Sequence, residues 1–280
     1  MRKHLIPSLE QSNTNISNLI EAKKSFLVGR VGLGGGTAIT ALTYAKQPIH
    51  PQFYIWIYQT EGFYGIPNFD RFAQLYFNSI QSSDLQAYWG DPSFPGFIEY
   101  ENFITPPNQS LIEPGSLDAY VFERPWTQKL AGKKVLIIHS FKESIDKQLK
   151  IKDKIWSNDN FLPEAEYLTY KPVQSLGGFG PHTSWYDSFD RMCDDISKID
   201  FDIALVAAGG YGMPLCGFIK ESLNKGAIYV GGCLQLFFGI KGRRWDTNNN
   251  ITKLYNENWI RASLEETPSS APLVENSCYW

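Results

Sequence analysis

The sequence predicts an α/β fold in which a mostly parallel sheet is flanked by helices. Three short apolar runs in the second half of the chain have the length of strands, and they cover residues 135–138, 201–208 and 227–230. Each run ends in small or polar residues and is followed by a helical pattern. Continuous apolar strands that alternate with helices are typical of a parallel, Rossmann-like sheet covered on both faces. Ligands of such sheets bind beyond the carboxyl ends of the strands, so the residues after these runs are the candidate site.

The first elements of the chain fit the same architecture. Spaced apolar residues predict an amphipathic helix over residues 8–24, and a strand-like run covers residues 26–31. The stretch GLGGG at residues 32–36 follows, and Thr37 begins a helix predicted to reach residue 45. A strand, a glycine-rich turn and a helix in this order bring backbone N–H groups and a helix N-terminus to a phosphate group.

The pattern between residues 50 and 125 is weaker. It predicts a strand at residues 53–58, a helix at residues 69–80 and then loops rich in proline and glycine, which we expect to border the site or to cover it as lids. No internal repeat and no low-complexity linker divides the chain. Residues 1–280 are therefore expected to form a single domain.

The residues around the later strands are more informative. His139 and Ser140 follow the first run, and Ser140 with Glu143 has the spacing of a helix-capping box. An apolar face recurs over residues 185–199 and predicts a helix before the second run. Helices are also predicted at residues 214–223 and 233–238.

Glycine-rich turns end the second and third of these strands. They bring small residues to the expected crevice, and each precedes a helix whose N-terminus favours anions. The residues that they offer to a ligand are Gly210, Tyr211, Gly212, Gly231 and Gly232.

Composition excludes several classes of protein. The 26 Lys and Arg residues are outnumbered by 29 Asp and Glu residues, which argues against a nucleic-acid partner and favours a small charged ligand. No stretch has the length of a signal peptide or a membrane span, so a cytoplasmic protein is expected. The cysteines are far apart and form no Cys-x-x-Cys pair, which predicts reduced thiols rather than disulfides or a zinc site; they are Cys193, Cys216, Cys233 and Cys278.

Three cations stand within four residues at Lys241, Arg243 and Arg244. Arginine offers planar, forked donors to phosphate, and lysine offers a point charge. The cluster could therefore bind a diphosphate. The alternative is a solvated helix C-terminus, where cations are also favourable. The glycine turns at Gly209 and Gly231 favour the ligand.

His139 is the first candidate for a general base, because it follows an apolar strand and histidine titrates near neutrality. The alternative is a hydrogen-bonded structural histidine. His182 is a weaker candidate. Arg30 is polar within its strand, and it either reaches a phosphate or pairs with a carboxylate.

Well-known nucleotide motifs are not matched. Thr37 occupies the third glycine position of G-x-G-x-x-G, and no acidic residue lies about twenty residues further on to hold a ribose. No P-loop and no G-x-S-x-G motif occurs. A dinucleotide-dependent oxidoreductase is therefore only the second choice.

One set of short motifs resembles a family found in surface-polysaccharide gene clusters and in large viruses, which is similar to glycosyltransferases of the GT-D fold. The resemblance covers roughly residues 120–280 well and the first strand and turn loosely. The motifs are Pro125-Trp126, Gly132-Lys133-Lys134-Val135-Leu136, Phe201-Asp202, Gly210-Tyr211-Gly212, Gly231-Gly232, Gln235, Gly239-Ile240-Lys241, Arg244-Trp245, Asn256, Trp259 and Val274-Glu275-Asn276-Ser277-Cys278-Tyr279-Trp280.

The resemblance implies transfer of a sugar from a nucleotide-diphosphate donor to a glycan hydroxyl. It adds Gln235 to the expected donor site. For such an enzyme, the loops predicted within residues 50–125 would be acceptor-side loops or lids. Viral relatives that decorate capsid glycans suggest a UDP-sugar, with UDP-xylose as one candidate. GT-D enzymes are expected to carry an Asp-x-Glu metal motif after the first strand, whereas this chain has no carboxylate there. Dependence on manganese or magnesium is therefore open, and cations of the chain could neutralise the leaving diphosphate instead.

Sugar transfer also requires a group that accepts the proton of the acceptor hydroxyl. The candidates are Glu61, Glu113, Asp118, Glu275 and His139. Three functions stay open: a glycosyltransferase, an oxidoreductase or other nucleotide-dependent enzyme, and a non-catalytic module that binds glycan or nucleotide.

Overall fold

A seven-stranded sheet forms the centre of the computed structural model, which describes residues 2–32, 35–90, 96–158 and 161–280. Neighbouring strands are parallel throughout, so the predicted α/β, Rossmann-like fold is confirmed. The strands are β1 (Phe26–Arg30), β2 (Leu85–Ala87), β3 (Leu111–Ile112), β4 (Lys134–His139), β5 (Glu166–Tyr170), β6 (Ile203–Ala207) and β7 (Gly226–Tyr229). Their order across the sheet is β3-β2-β1-β7-β6-β4-β5. A separate parallel pair consists of β8 (Ile240–Lys241) and β9 (Ile260–Arg261).

Helices connect these strands. The α-helices of the described residues are α1 (Leu9–Ala22), α2 (Gly35–Tyr44), α3 (Pro51–Thr60), α4 (Asp70–Gln81), α5 (Phe97–Ile104), α6 (Lys142–Leu149), α7 (Trp185–Ser197), α8 (Gly212–Glu221), α9 (Leu234–Phe237) and α10 (Asn249–Thr252). Short 3-10 helices cover Lys3–Leu5, Pro114–Leu117, Ala119–Val121, Trp126–Leu130, Lys152–Lys154, Gly209–Tyr211, Arg243–Trp245, Leu264–Glu266 and Ala271–Leu273. Within the described residues, no helix combines the length and the apolarity needed to cross a bilayer.

Each face of the sheet has its own apolar core, because successive strand residues point to opposite faces. Val135 and Ile137 of β4 belong to the core that includes Ile145 of α6. Leu136 of the same strand belongs to the core that includes Leu215 of α8. The chain therefore leaves β4 toward one face of the sheet and leaves β6 toward the other.

The predicted helices and strands of the second half are confirmed with shifts of one or two residues at their ends. The opening helix is also confirmed as α1, and the Ser8 hydroxyl accepts a hydrogen bond from the Gln11 amide at 3.2 Å. The predicted capping box of Ser140 and Glu143 is wrong. Helix α6 begins at Lys142 without a side-chain cap, because the chain first turns at His139, whose Nδ1 accepts the N–H of Phe141.

The predicted strand at residues 53–58 is wrong, because this segment lies in helix α3. Its aromatic and β-branched residues favour a strand by composition. Pro51 occupies the first turn, however, and the His50 ring accepts a hydrogen bond from the second residue of the helix. Ile57 is buried, whereas Tyr54 and Ile55 are exposed, so the segment packs along one helical face.

The region of residues 50–125 is more regular than the sequence predicts. It contains α3, α4 and α5, and β2 and β3 extend the sheet beyond β1. The sequence did not reveal these strands because they have only three and two residues. Part of the predicted loop, residues 91–95, lies outside the described residues, as do Leu33 and Gly34 of the glycine-rich stretch.

Candidate functional site

A cavity of about 140 Å³ lies at the carboxyl ends of β4, β6 and β7. Because the chain leaves β4 and β6 toward opposite faces, a crevice opens between the strand ends, and such points are the usual ligand sites of open α/β sheets. We call it the strand-end cavity. It is lined by Thr60, Glu61, His139, Ser140, Phe141, Val173, Gln174, Ser175, Leu176, Ala207, Ala208, Gly209, Tyr211, Tyr229, Gly231, Gly232, Gln235, Val274, Tyr279 and Trp280.

Glu61 follows the last residue of α3 and lines the strand-end cavity. Its Oε1 accepts a hydrogen bond of 2.7 Å from the amide of Gly36, at the N-terminus of α2. Burial raises the pKa of the Glu61 carboxyl to about 7, although the bond from Gly36 opposes this rise. Glu61 can therefore accept or release a proton near neutral pH. Its carboxylate also occupies the helix N-terminus at which the sequence predicts a phosphate.

His139 is the last residue of β4 and is only 5% exposed. Its Nδ1 accepts a hydrogen bond of 2.9 Å from the amide of Phe141, which leaves the ring proton on Nε2. Burial lowers the pKa of His139 to about 3, so the ring is neutral at physiological pH. A ring of such low basicity is suited to donate a hydrogen bond to a ligand, and Glu61 is better suited to accept a proton.

The turn after β6 is packed by protein groups. A Cβ at Gly210 would lie 2.7 Å from the carbonyl oxygen of Glu61, and one at Gly212 would overlap the ring of Tyr229. Tyr211 is buried, and its ring stacks on a tryptophan of α7 with centroids 4.5 Å apart. The absence of side chains at these two glycines thus makes room for the cavity walls. Gly209, in contrast, has open space where a Cβ would point.

The turn after β7 separates two cavities. Gly231 has a φ of 76°, and a Cβ there would lie 2.9 Å from Nη1 of Arg30. A Cβ at Gly232 would overlap the ring of Tyr279. Gly232 lines the strand-end cavity and also a second cavity, which we call the arginine cavity. Any side chain at either glycine would therefore displace a wall of the site.

The arginine cavity has a volume of about 300 Å³. Arg30 donates a hydrogen bond of 2.8 Å to the carbonyl of Val230, and its guanidinium lies 5.0 Å from the ring centroid of Trp89. Arg244 lines the same cavity, and so do two carboxyl side chains. The full lining is Arg30, Trp89, Glu113, Pro114, Gly115, Asp118, Gly232, Cys233, Arg244 and Trp245.

The structure separates the three clustered cations. The Lys241 ammonium lies 5.1 Å from the ring centroid of Tyr255, and Lys241 lines neither cavity. Arg243 is exposed. Only Arg244 reaches the arginine cavity, where its guanidinium lies 4.7 Å from the ring centroid of Tyr279. One of the three cations therefore lies at this cavity.

Glu275 is exposed and forms an ion pair with Arg244. It lies outside the strand-end cavity. Residues 275–277 all have positive φ, between 45° and 62°, which is uncommon for residues other than glycine. This left-handed turn brings Tyr279 and Trp280 back to the strand-end cavity.

Gln235 anchors the C-terminal segment. Its side chain is 1% exposed, and its amide nitrogen donates to the carbonyls of Ile240, at 3.2 Å, and Tyr279, at 3.0 Å. The indole of Trp280 donates to the carbonyl of Glu266 at 3.0 Å. These hydrogen bonds hold the aromatic rings of Tyr279 and Trp280 at the edge of the strand-end cavity.

The remaining base candidates lie elsewhere. Glu113 and Asp118 line the arginine cavity, and burial raises the pKa of both carboxyls. His182 lines neither cavity, and its Nδ1 lies 2.7 Å from the Ser188 hydroxyl.

Several residues of the strand-end cavity were not predicted from the sequence. Tyr229 is the last residue of β7 and could have been selected by the strand-end rule. Gln174 and Ser175 follow β5, an edge strand that was not identified because its partly exposed residues form neither a continuous apolar run nor a regular alternation. No sequence signal places Thr60 or Trp280 at the strand ends, because their positions depend on tertiary packing.

The turn after β1 has no carboxylate for a metal. Among the residues that the structure describes, no three His, Cys, Asp or Glu side chains are grouped to hold an ion, so we derive no step through a metal. The four cysteines are free and buried. In comparisons with known proteins, no family model, no curated protein and no solved structure matches this chain.

Proposed function

We propose that the chain is a glycosyltransferase that moves a sugar from a nucleotide-diphosphate donor, such as a UDP-sugar, to a glycan hydroxyl. The observation that carries the proposal is the position of Glu61. Its carboxyl has a pKa of about 7 and lines a cavity that shares Gly232 with the arginine cavity. A proton acceptor and an anion site are thus neighbours.

The diphosphate is assigned to the arginine cavity. Arg30 and Arg244 line it, and guanidinium groups are the preferred partners of phosphate oxygens. Two guanidinium groups would also stabilise the negative charge that grows on the leaving diphosphate.

The sugar is assigned to the strand-end cavity, across Gly232. Gly232 lines both cavities, so in this proposal one donor spans them at that glycine. Glu61 accepts the proton of the acceptor hydroxyl while that oxygen forms a bond to the anomeric carbon. The bond from the anomeric carbon to the diphosphate breaks, and the diphosphate leaves with the electron pair.

The test combines a donor panel with one isosteric variant. UDP-sugars are incubated with candidate glycan acceptors, and products are followed by mass spectrometry for wild type and Glu61→Gln. We expect the variant to lose turnover by at least about a hundredfold while its donor affinity changes little, since a general base acts on the transition state. Glu221→Gln, at the exposed end of α8, is the matched control.

Two results would overturn the proposal. The first is a broad panel that gives neither transfer nor donor hydrolysis, together with selective binding of NAD or ATP, which would favour an oxidoreductase or another nucleotide-dependent enzyme. The second is tight donor or glycan binding without turnover, which would favour a binding module. Thermal shift with UDP-sugars, NAD and ATP separates these outcomes, because selective ligands stabilise the native state.

A further inference from the structure

The strand-end cavity is lined without a single cationic side chain, and all of its lining residues belong to the described part of the chain. Its polar side chains carry hydroxyl and amide groups, one imidazole and one carboxyl. The arginine cavity next to it has two guanidinium groups. The arginine cavity also has the carboxyls of Glu113 and Asp118, so what distinguishes the two cavities is that cationic side chains line only one of them.

The imidazole does not supply positive charge. The Nδ1 of His139 is engaged by the Phe141 amide, and burial keeps the ring neutral. Its Nε2–H has no partner among the described residues, so it is free to donate to a ligand oxygen. Hydroxyl oxygens accept such a bond without bringing a charge into the cavity.

The carboxyl of Glu61 opposes anions. Gly36 donates the one hydrogen bond that the structure gives it, and no cation forms an ion pair with it within the described residues. A second carboxylate in the same cavity would be buried beside Glu61 without compensation, which is costly for both groups.

The volume of the strand-end cavity limits the size of the ligand that it can hold. Pockets for drug-sized ligands usually have about 300–1,000 Å³. The strand-end cavity, of about 140 Å³, is smaller than this range, so we expect it to hold one ring rather than a whole nucleotide.

We propose that the strand-end cavity binds one uncharged, hydroxylated sugar ring and rejects sugars that carry a carboxylate. The inference rests on the proposed function and adds to it the class of sugar that the enzyme transfers. His139 donates to a ring or hydroxyl oxygen, and Glu61 provides the discrimination against acidic sugars.

UDP-glucose and UDP-glucuronate test this inference, because they differ only in a hydroxymethyl or carboxylate group on the sugar. Calorimetry at pH 8, where Glu61 is mostly ionised, compares both with UDP. We expect UDP-glucose to bind at least as tightly as UDP, and UDP-glucuronate to bind at least about tenfold more weakly than UDP-glucose. In Glu61→Gln the difference in affinity between the two UDP-sugars should fall to about threefold or less, whereas Glu221→Gln should leave this difference unchanged.

Equal affinity of wild type for the two UDP-sugars would overturn the inference, and so would an unchanged difference in affinity between them in Glu61→Gln. A lack of UDP binding would instead overturn the proposed function. In that case, ligand-observed NMR with free glucose and glucuronate decides the cavity inference, since preference for glucuronate or equal binding contradicts it.

Discussion

Replacing Glu61 with Gln should stabilise the protein at alkaline pH. The folded protein holds Glu61 with a pKa of about 7, against an ordinary value of 4.5. Below pH 4.5 the carboxyl is protonated in both the folded and the unfolded chain. As the pH rises through 7, the folded protein must hold a charge that burial disfavours, and stability is lost. The difference between the two pKa values corresponds to about 3 kcal/mol.

The variant removes this loss and keeps the amide oxygen that can accept the bond from Gly36. We expect its free energy of unfolding to exceed that of wild type by up to about 3 kcal/mol at pH 8.5, and by less than about 1 kcal/mol at pH 5. Urea unfolding, followed by tryptophan fluorescence between pH 5 and pH 8.5, measures the difference. Glu221→Gln makes the same chemical change at an exposed site. A difference that does not vary with pH would refute the burial of the Glu61 carboxyl.

Two further changes test the arginine cavity and the packing of α8 against α4. Glu275→Gln removes the anion that pairs with Arg244. UDP affinity measured by calorimetry should therefore rise about two- to fivefold, the range expected for an exposed ion pair. Weaker UDP binding would contradict the view that Glu275 competes with UDP for Arg244. Gly217→Ala places a Cβ against the Ser79 side chain and should lower the free energy of unfolding by about 1–3 kcal/mol in urea titrations. Adding Ser79→Gly should recover part of this loss, and strictly additive effects of the two substitutions would show that the contact is not the cause.

The sequence predicted the parallel sheet because fully buried strands have a simple signature. β4 and β6 are covered on both faces, so both are continuous runs of apolar residues, and each is followed by a helical pattern. The same reasoning located His139 and the glycine turns as candidates, whereas Glu61 was selected only as one of several carboxylates that could accept a proton in sugar transfer. The prediction was wrong for α3. The composition of this segment favours a strand, whereas the structure buries one face of a helix.

The sequence by itself determined the fold class and the ends of β1, β4, β6 and β7, since both depend on local periodicity. Tertiary structure alone decided which residues face one another there. It separated Lys241 from Arg244, placed Arg244 beside Arg30, and brought Tyr279 back to the strand ends. It also buried Glu61 against the N-terminus of α2, from which it is separated by a whole helix in the sequence. The charge and the pKa of a side chain, and its access to a ligand, are set by burial and by neighbouring groups. Both arise from such long-range contacts, and no local sequence pattern encodes them.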